Sequence, residues 1–134
     1  MSVNYPTIIP NSIIRLFRHS ILSAHGGDLP RYRGNTCQAW AILNGEKKIG
    51  LCIHKMEGNE LDCGDIIVRD YMSIDYNTKV TKVWNWRHQQ IPRLMIHAID
   101  QLSTDPNYIL ERQSRNPHDI LRCYLRIPED GCIN

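Results

Sequence analysis

Cys37 and His54 are the side chains whose types suit a nucleophile and its base. A thiol beside an imidazole can form a thiolate–imidazolium pair, the reactive form of cysteine. The stretch Asn35-Thr36-Cys37-Gln38-Ala39-Trp40 offers no helix start to lower a thiol pKa, so Cys37 reads first as a small buried hydrophobe. Arg87, His88 and Arg93 bracket the start of a helix read from Ile91 to Leu102. Free backbone N–H groups and the positive end of a helix dipole there suit a phosphate. The later arginines, Arg112, Arg115, Arg122 and Arg126, fit a solvated face. His19 and His25 are six apart and His88 and His97 nine apart, with no His-x-x-x-His or Cys-x-x-Cys, so no metal site is expected. Trp84 and Trp86 share a face if they lie on a strand, which suits a core more than a stacking platform for nucleic-acid bases.

The elements that would position these residues follow from periodicity and punctuation. A helix is expected over Ser12 to Ala24, with Ile13, Leu16, Phe17 and Ile21 on one face and Gly26-Gly27 ending it. Asp28 to Thr36 reads as a loop. Cys37 to Leu43 and Ile49 to Met56 read as an antiparallel hairpin turned by Asn44-Gly45, which puts His54 on the strand opposite Cys37. Asp65 to Asp70, extending towards Ile74, makes a third strand, and Lys79 to Trp86 a fourth. Ile91, Leu94, Met95, Ala98, Ile99 and Leu102 repeat at a helical period. Tyr108-Ile109-Leu110 reads as a short strand, and Asn116-Pro117 opens a last helix, 117–127, that carries Tyr124.

The chain has 134 residues, 42% apolar and 22% charged, which suits one globular domain over residues 1–134. A formal charge of +2 does not call for nucleic acid. No apolar run nears the roughly 18 residues a membrane span needs, and Ile8 to Ile14 lacks the charged flank of a signal peptide. Five cysteines without paired spacing read as reduced thiols in a cytoplasmic protein. The fold class expected is α+β, a mostly antiparallel sheet flanked by helices.

This order of elements resembles the GNAT superfamily of acyl-CoA-dependent N-acyltransferases over about residues 12–127. The resemblance is carried by Arg87-His88-Gln89-Gln90-Ile91-Pro92 and by Asn116 followed at eight residues by Tyr124. It implies that acetyl-CoA or another acyl-CoA is held by Arg87, His88, Gln89, Gln90, Arg93 and Asn116, in a V-shaped slot between strands 79–86 and 107–112. It also implies that Tyr124 protonates the departing thiolate, and that an amine of unknown identity is the acceptor. A base for that amine would come from His54, Glu57, Asp62 or Asp65 on or near the middle strands, with His54 the first choice and His88 an alternative. Gln90 and Pro92 stand where the family has small residues. The alternative is therefore a scaffold that lost the cofactor and works by surface contacts, as an inhibitor or structural component of a host or a virus. Oligomeric state and protein partners stay open.

Overall fold

The computed structural model describes residues 2–3, 9–58 and 60–123. Its centre is strand β4 (Lys48–Lys55), in which Ile49 to His54 are all buried. A strand hidden on both faces needs a partner for each edge, and β4 has two. It pairs antiparallel with β2 (Leu22–His25) on one side and with β5 (Ile66–Ser73) on the other. A two-residue strand, β1 (Ser2–Val3), runs parallel to β2 and completes the order β1-β2-β4-β5. A second, two-stranded parallel sheet joins β3 (Tyr32–Gly34) to β6 (Leu121–Cys123).

Helix α3 (Val80–Thr104) covers one face of the sheet. Its buried positions Val83, Arg87, Ile91, Met95 and Ala98 are spaced four, four, four and three, a single stripe along a helix. Ile91, Met95 and Ala98 pack on Ala24, Leu51, Ile53 and Ile67. Helix α2 (Cys37–Leu43) adds Cys37 and Ala41 to a second cluster with Tyr32, Ile49, Ile74 and Val83. A mixed α/β architecture with antiparallel pairs and flanking helices is thus what the sequence led one to expect, and strands β4 and β5 lie close to the residues read for them.

Several elements differ, each for a physical reason. The helix expected over 12–24 stops early, as α1 (Asn11–Ile14). Its supposed core face is exposed at Ile13, Leu16 and Phe17, while 22–25 gains strand partners in β1 and β4. Residues 37–43 are helical, so the expected hairpin does not form. Asn44-Gly45 ends that helix instead: Glu46 N–H bonds Ala41 O at 3.0 Å and Gly45 N–H bonds Ile42 O at 3.0 Å, with Gly45 at φ +68°. A hairpin turn and a helix C-cap both ask for a positive φ, which is why the dipeptide fits either.

Residues 79–86 alternate weakly as a strand but continue the stripe of α3, where Pro92 is accommodated within the helix. Residues 108–110 form no strand, although Glu111 bridges to Ile66. The V-shaped slot expected between 79–86 and 107–112 therefore has no strands to form it. Asn116 does cap, its Oδ1 accepting from His118 N–H at 3.1 Å, but it opens only a single 3-10 turn (Pro117–Asp119) before β6. Tyr124 lies outside the described residues. No helix among the described residues is long and apolar enough to cross a membrane.

Candidate functional site

Side chains alternate across a strand, so His25 and Ser23 leave β2 on one face while Ala24 enters the core on the other. The β4 residues opposite them in register are Cys52 and His54. Pairing between β4 and β5 slips by one residue between Ile53 and His54. Such an irregularity bends the ladder and re-aims the side chain beside it. His25 and His54 meet edge to face, with ring centroids 6.2 Å apart.

The loop between β4 and β5 brings Asp62 to both rings. Its Oδ2 lies 3.4 Å from His25 Nδ1 and its Oδ1 3.6 Å from His54 Nε2. Each imidazole has its other nitrogen fixed on a carbonyl: His25 Nε2–H donates to Tyr32 O at 2.7 Å, and His54 Nδ1–H donates to Lys55 O at 2.9 Å. A carbonyl accepts only, so these bonds set the tautomers and turn the proton-accepting nitrogen of each ring towards the same carboxylate. His54 Nε2 has no hydrogen-bond partner and is fully enclosed, His54 being 2% exposed.

The electrostatics follow from this packing. Burial alone would push the Asp62 carboxyl up, but the positive charge that His25 carries once acid protonates it, the contact with His54 and a 2.9 Å bond from Gly34 N–H hold it well below the usual carboxylate range. Burial draws the His25 imidazole below its ordinary value, with Asp62 opposing and His54 and Arg87 assisting. A neutral, proton-accepting imidazole facing an ionised carboxylate can take a proton and have the new charge neutralised at once.

Cys37 opens α2 rather than a strand, and the histidine beside it is His25, with Sγ 3.7 Å from Nε2. Its S–H also faces Tyr32 O and Gly34 O at 3.5 Å each. Cys52 and Cys63 are free thiols, and burial pushes the Cys52 thiol up to about 11. Among the described residues no group of His, Cys, Asp and Glu is arranged to hold a metal.

The sequence-expected residues divide. His54 and Asp62 stand together, whereas Glu57 is exposed and the Asp65 carbonyl is taken by Lys55 N–H at 2.9 Å. Residues 87–93 sit inside α3, not at its start, so their N–H groups are not the free donors of a helix end. Arg87 is buried, while His88, Gln89 and Arg93 are exposed. His88 stacks on Trp84 with ring centroids 4.8 Å apart. Asn116 is exposed beside its 3-10 turn. A groove of about 860 Å³ between the end of β5 and the first turns of α3, with Lys79, Lys82 and Trp86 on its wall, contains none of His25, His54 or Asp62. In the sequence, His25 reads only as a candidate metal ligand. The Gly26-Gly27 that follows it, read as a helix stop, was the available sign of a close-packed strand end.

Comparison with known proteins gives these residues a context. Residues 1–99 match the family described as formyl transferase. The chain is 31% identical over 96 residues to a GDP-perosamine N-formyltransferase of Brucella melitensis, covering 72% of this chain and 36% of that protein. It is 29% identical over 134 residues to a methionyl-tRNA formyltransferase of Geobacter metallireducens, covering 98% of this chain and 41% of that one. The chain thus spans about two fifths or less of these relatives' length. In fold it resembles the formyltransferase PseJ from Anoxybacillus kamchatkensis, solved with UDP-4,6-dideoxy-4-formamido-L-AltNAc and tetrahydrofolate. The TM-score is 0.74 at 21% identity, over 90% of this chain and 62% of that one. These matches overturn the GNAT resemblance, and with it acyl-CoA as ligand, N-acyl transfer from CoA and the GNAT-like scaffold alternative.

Proposed function

The chain belongs to the formyl transferase family, and from that premise we propose that it serves transfer of a formyl group from a formyltetrahydrofolate to a primary amine. Attack of the amine on the formyl carbon forms one C–N bond and breaks another. The amine nitrogen must lose a proton and the folate nitrogen must gain one. The observation that carries the proposal is the Asp62 carboxylate set between His25 Nδ1 and His54 Nε2. The His25 imidazole can receive the amine's proton, and Asp62 offsets the charge that appears. General acid–base help of this kind is worth about 10²–10⁴-fold in rate.

The names of the relatives support a formyl donor and an amine acceptor, and tetrahydrofolate in the PseJ structure supports a folate as carrier. The test supplies the protein with formyltetrahydrofolate and, separately, a nucleotide-linked amino sugar and methionyl-tRNA. The rate of tetrahydrofolate release and the formylated amine are both measured. The expected result is product with one of the two amines, reduced at least about 100-fold in His25→Ala. No formylated product with either amine would rule the proposal out.

A further inference from the structure

Asp62 occupies an awkward backbone position. Its φ is +53°, in the left-handed region that residues with a side chain rarely adopt, and such strain persists only where the surroundings impose it. Two residues on, Gly64 lies so close to the end of β4 that a Cβ there would collide with the Lys55 carbonyl. The carboxylate is tied by Gly34 N–H, but that bond alone does not fix the main chain beneath it.

Gln113 does. It is 8% exposed, and its Nε2 donates to the carbonyls of both Asp62 and Gly64 at 2.7 Å. Its Oε1 accepts from Arg33 Nε at 3.2 Å and Nη2 at 3.0 Å. An amide has two N–H donors and two acceptor lone pairs, and here all four are used. Two carbonyls accept only and a guanidinium donates only, so the amide has one possible orientation. Arg33 precedes Gly34 in β3, so the strand that holds the Asp62 carboxylate also orients the side chain that holds its backbone. Gln113 lies outside the stretch matched by the family, residues 1–99.

We infer that Gln113 is a positioning residue for the formyl-transfer site: its side-chain amide clamps the main chain at Asp62 and Gly64 and so keeps the carboxylate between the two imidazoles. The inference rests on the proposed function for its catalytic consequence, but not for its geometry.

The test uses two neutral variants, Gln113→Met, which keeps volume and loses every bond, and Gln113→Asn, which keeps the amide but shortens its reach. The groups facing His25 are Asp62 from the loop, His54 from β4, Arg87 from α3 and Cys37 from α2, and neither variant touches them. The first readout is the His25 imidazole titration followed by NMR. With the carboxylate released, it should move to lower pH by up to about one unit. The second is turnover with formyltetrahydrofolate, where kcat should fall about 10–100-fold while KM stays within about twofold. Should Gln113→Met fail to fold, Gln113→Asn decides. A His25 titration superimposable on the wild type's in a folded variant overturns the inference, whatever the activity. A shifted titration in a protein that transfers no formyl group upholds Gln113 as the clamp and overturns only the proposed function.

Discussion

The loop around Asp62 and the face of α3 from Trp84 to Arg93 are both rich in polar groups, but they are held in opposite ways. Asp62 is reached by Gly34 N–H from 28 residues away, by Gln113 from 51 away and by two imidazoles on different strands. On the helix face the contacts are local: His88 donates to Trp84 O four residues back and stacks on the same residue, and Arg93 is exposed. Long-range contacts fix one carboxylate at a set distance from two bases in a nearly closed space. Local contacts leave side chains that water can solvate and rearrange. A preorganised site needs the first kind.

That contrast can be broken by substitution. The largest effect expected on stability is from Gly64→Ala, because the added methyl meets backbone rather than a flexible side chain. Denaturant unfolding should show a loss of about 1–3 kcal/mol, and a wild-type midpoint would mean that the loop is not pressed against β4.

A smaller effect is expected in the pH dependence of stability. Asp62 is held below its unfolded value of 3.8, so its contribution is present above that pH and is lost as pH falls through the folded value. His25 is also depressed, from 6.5, so the unfolded chain takes up this proton first and stability falls as pH drops below 6.5. Asp62→Asn removes the carboxylate that opposes the His25 shift. Its stability should fall more steeply than the wild type's between about pH 6.5 and 5 and more gently below about pH 4. Parallel curves for the two proteins would contradict the coupling.

The smallest effect is expected on the helix. Arg93→Ala should change stability by less than about 0.5 kcal/mol and leave formyl transfer within about twofold of the wild type's rate. A larger loss in either measurement would give that face a role the contrast denies it.

Strands β4 and β5 and the later part of α3 are legible in the sequence because their apolar runs are long enough to carry a period. The segments that misled, 37–43 and 79–86, are short amphipathic stretches whose pattern fits a strand or a helix until the packing partner is known. Residues 22–25 look helical until β4 supplies its edge. At the site, His54 and Asp62 can be selected by type alone, but nothing local tells that they meet His25, since the three converge only through the sheet pairing and the Asp62 loop. The same holds for Gln113, an unremarkable glutamine until the fold sets it under Asp62. The GNAT resemblance failed for a related reason. It rested on Arg87 standing at a helix start, and α3 begins seven residues earlier.

If Asp62 and its two imidazoles perform the proton handling of formyl transfer, Asp62→Asn should slow the reaction. Asparagine keeps the shape and can still accept from Gly34 N–H, but it carries no charge to offset a protonated ring. The measurement is the single-turnover rate of formyl transfer from formyltetrahydrofolate at pH 7, for wild type and variant preparations matched in circular dichroism. The rate is expected to fall about 10²–10⁴-fold. A variant that transfers the formyl group within about threefold of the wild-type rate would contradict that role for Asp62.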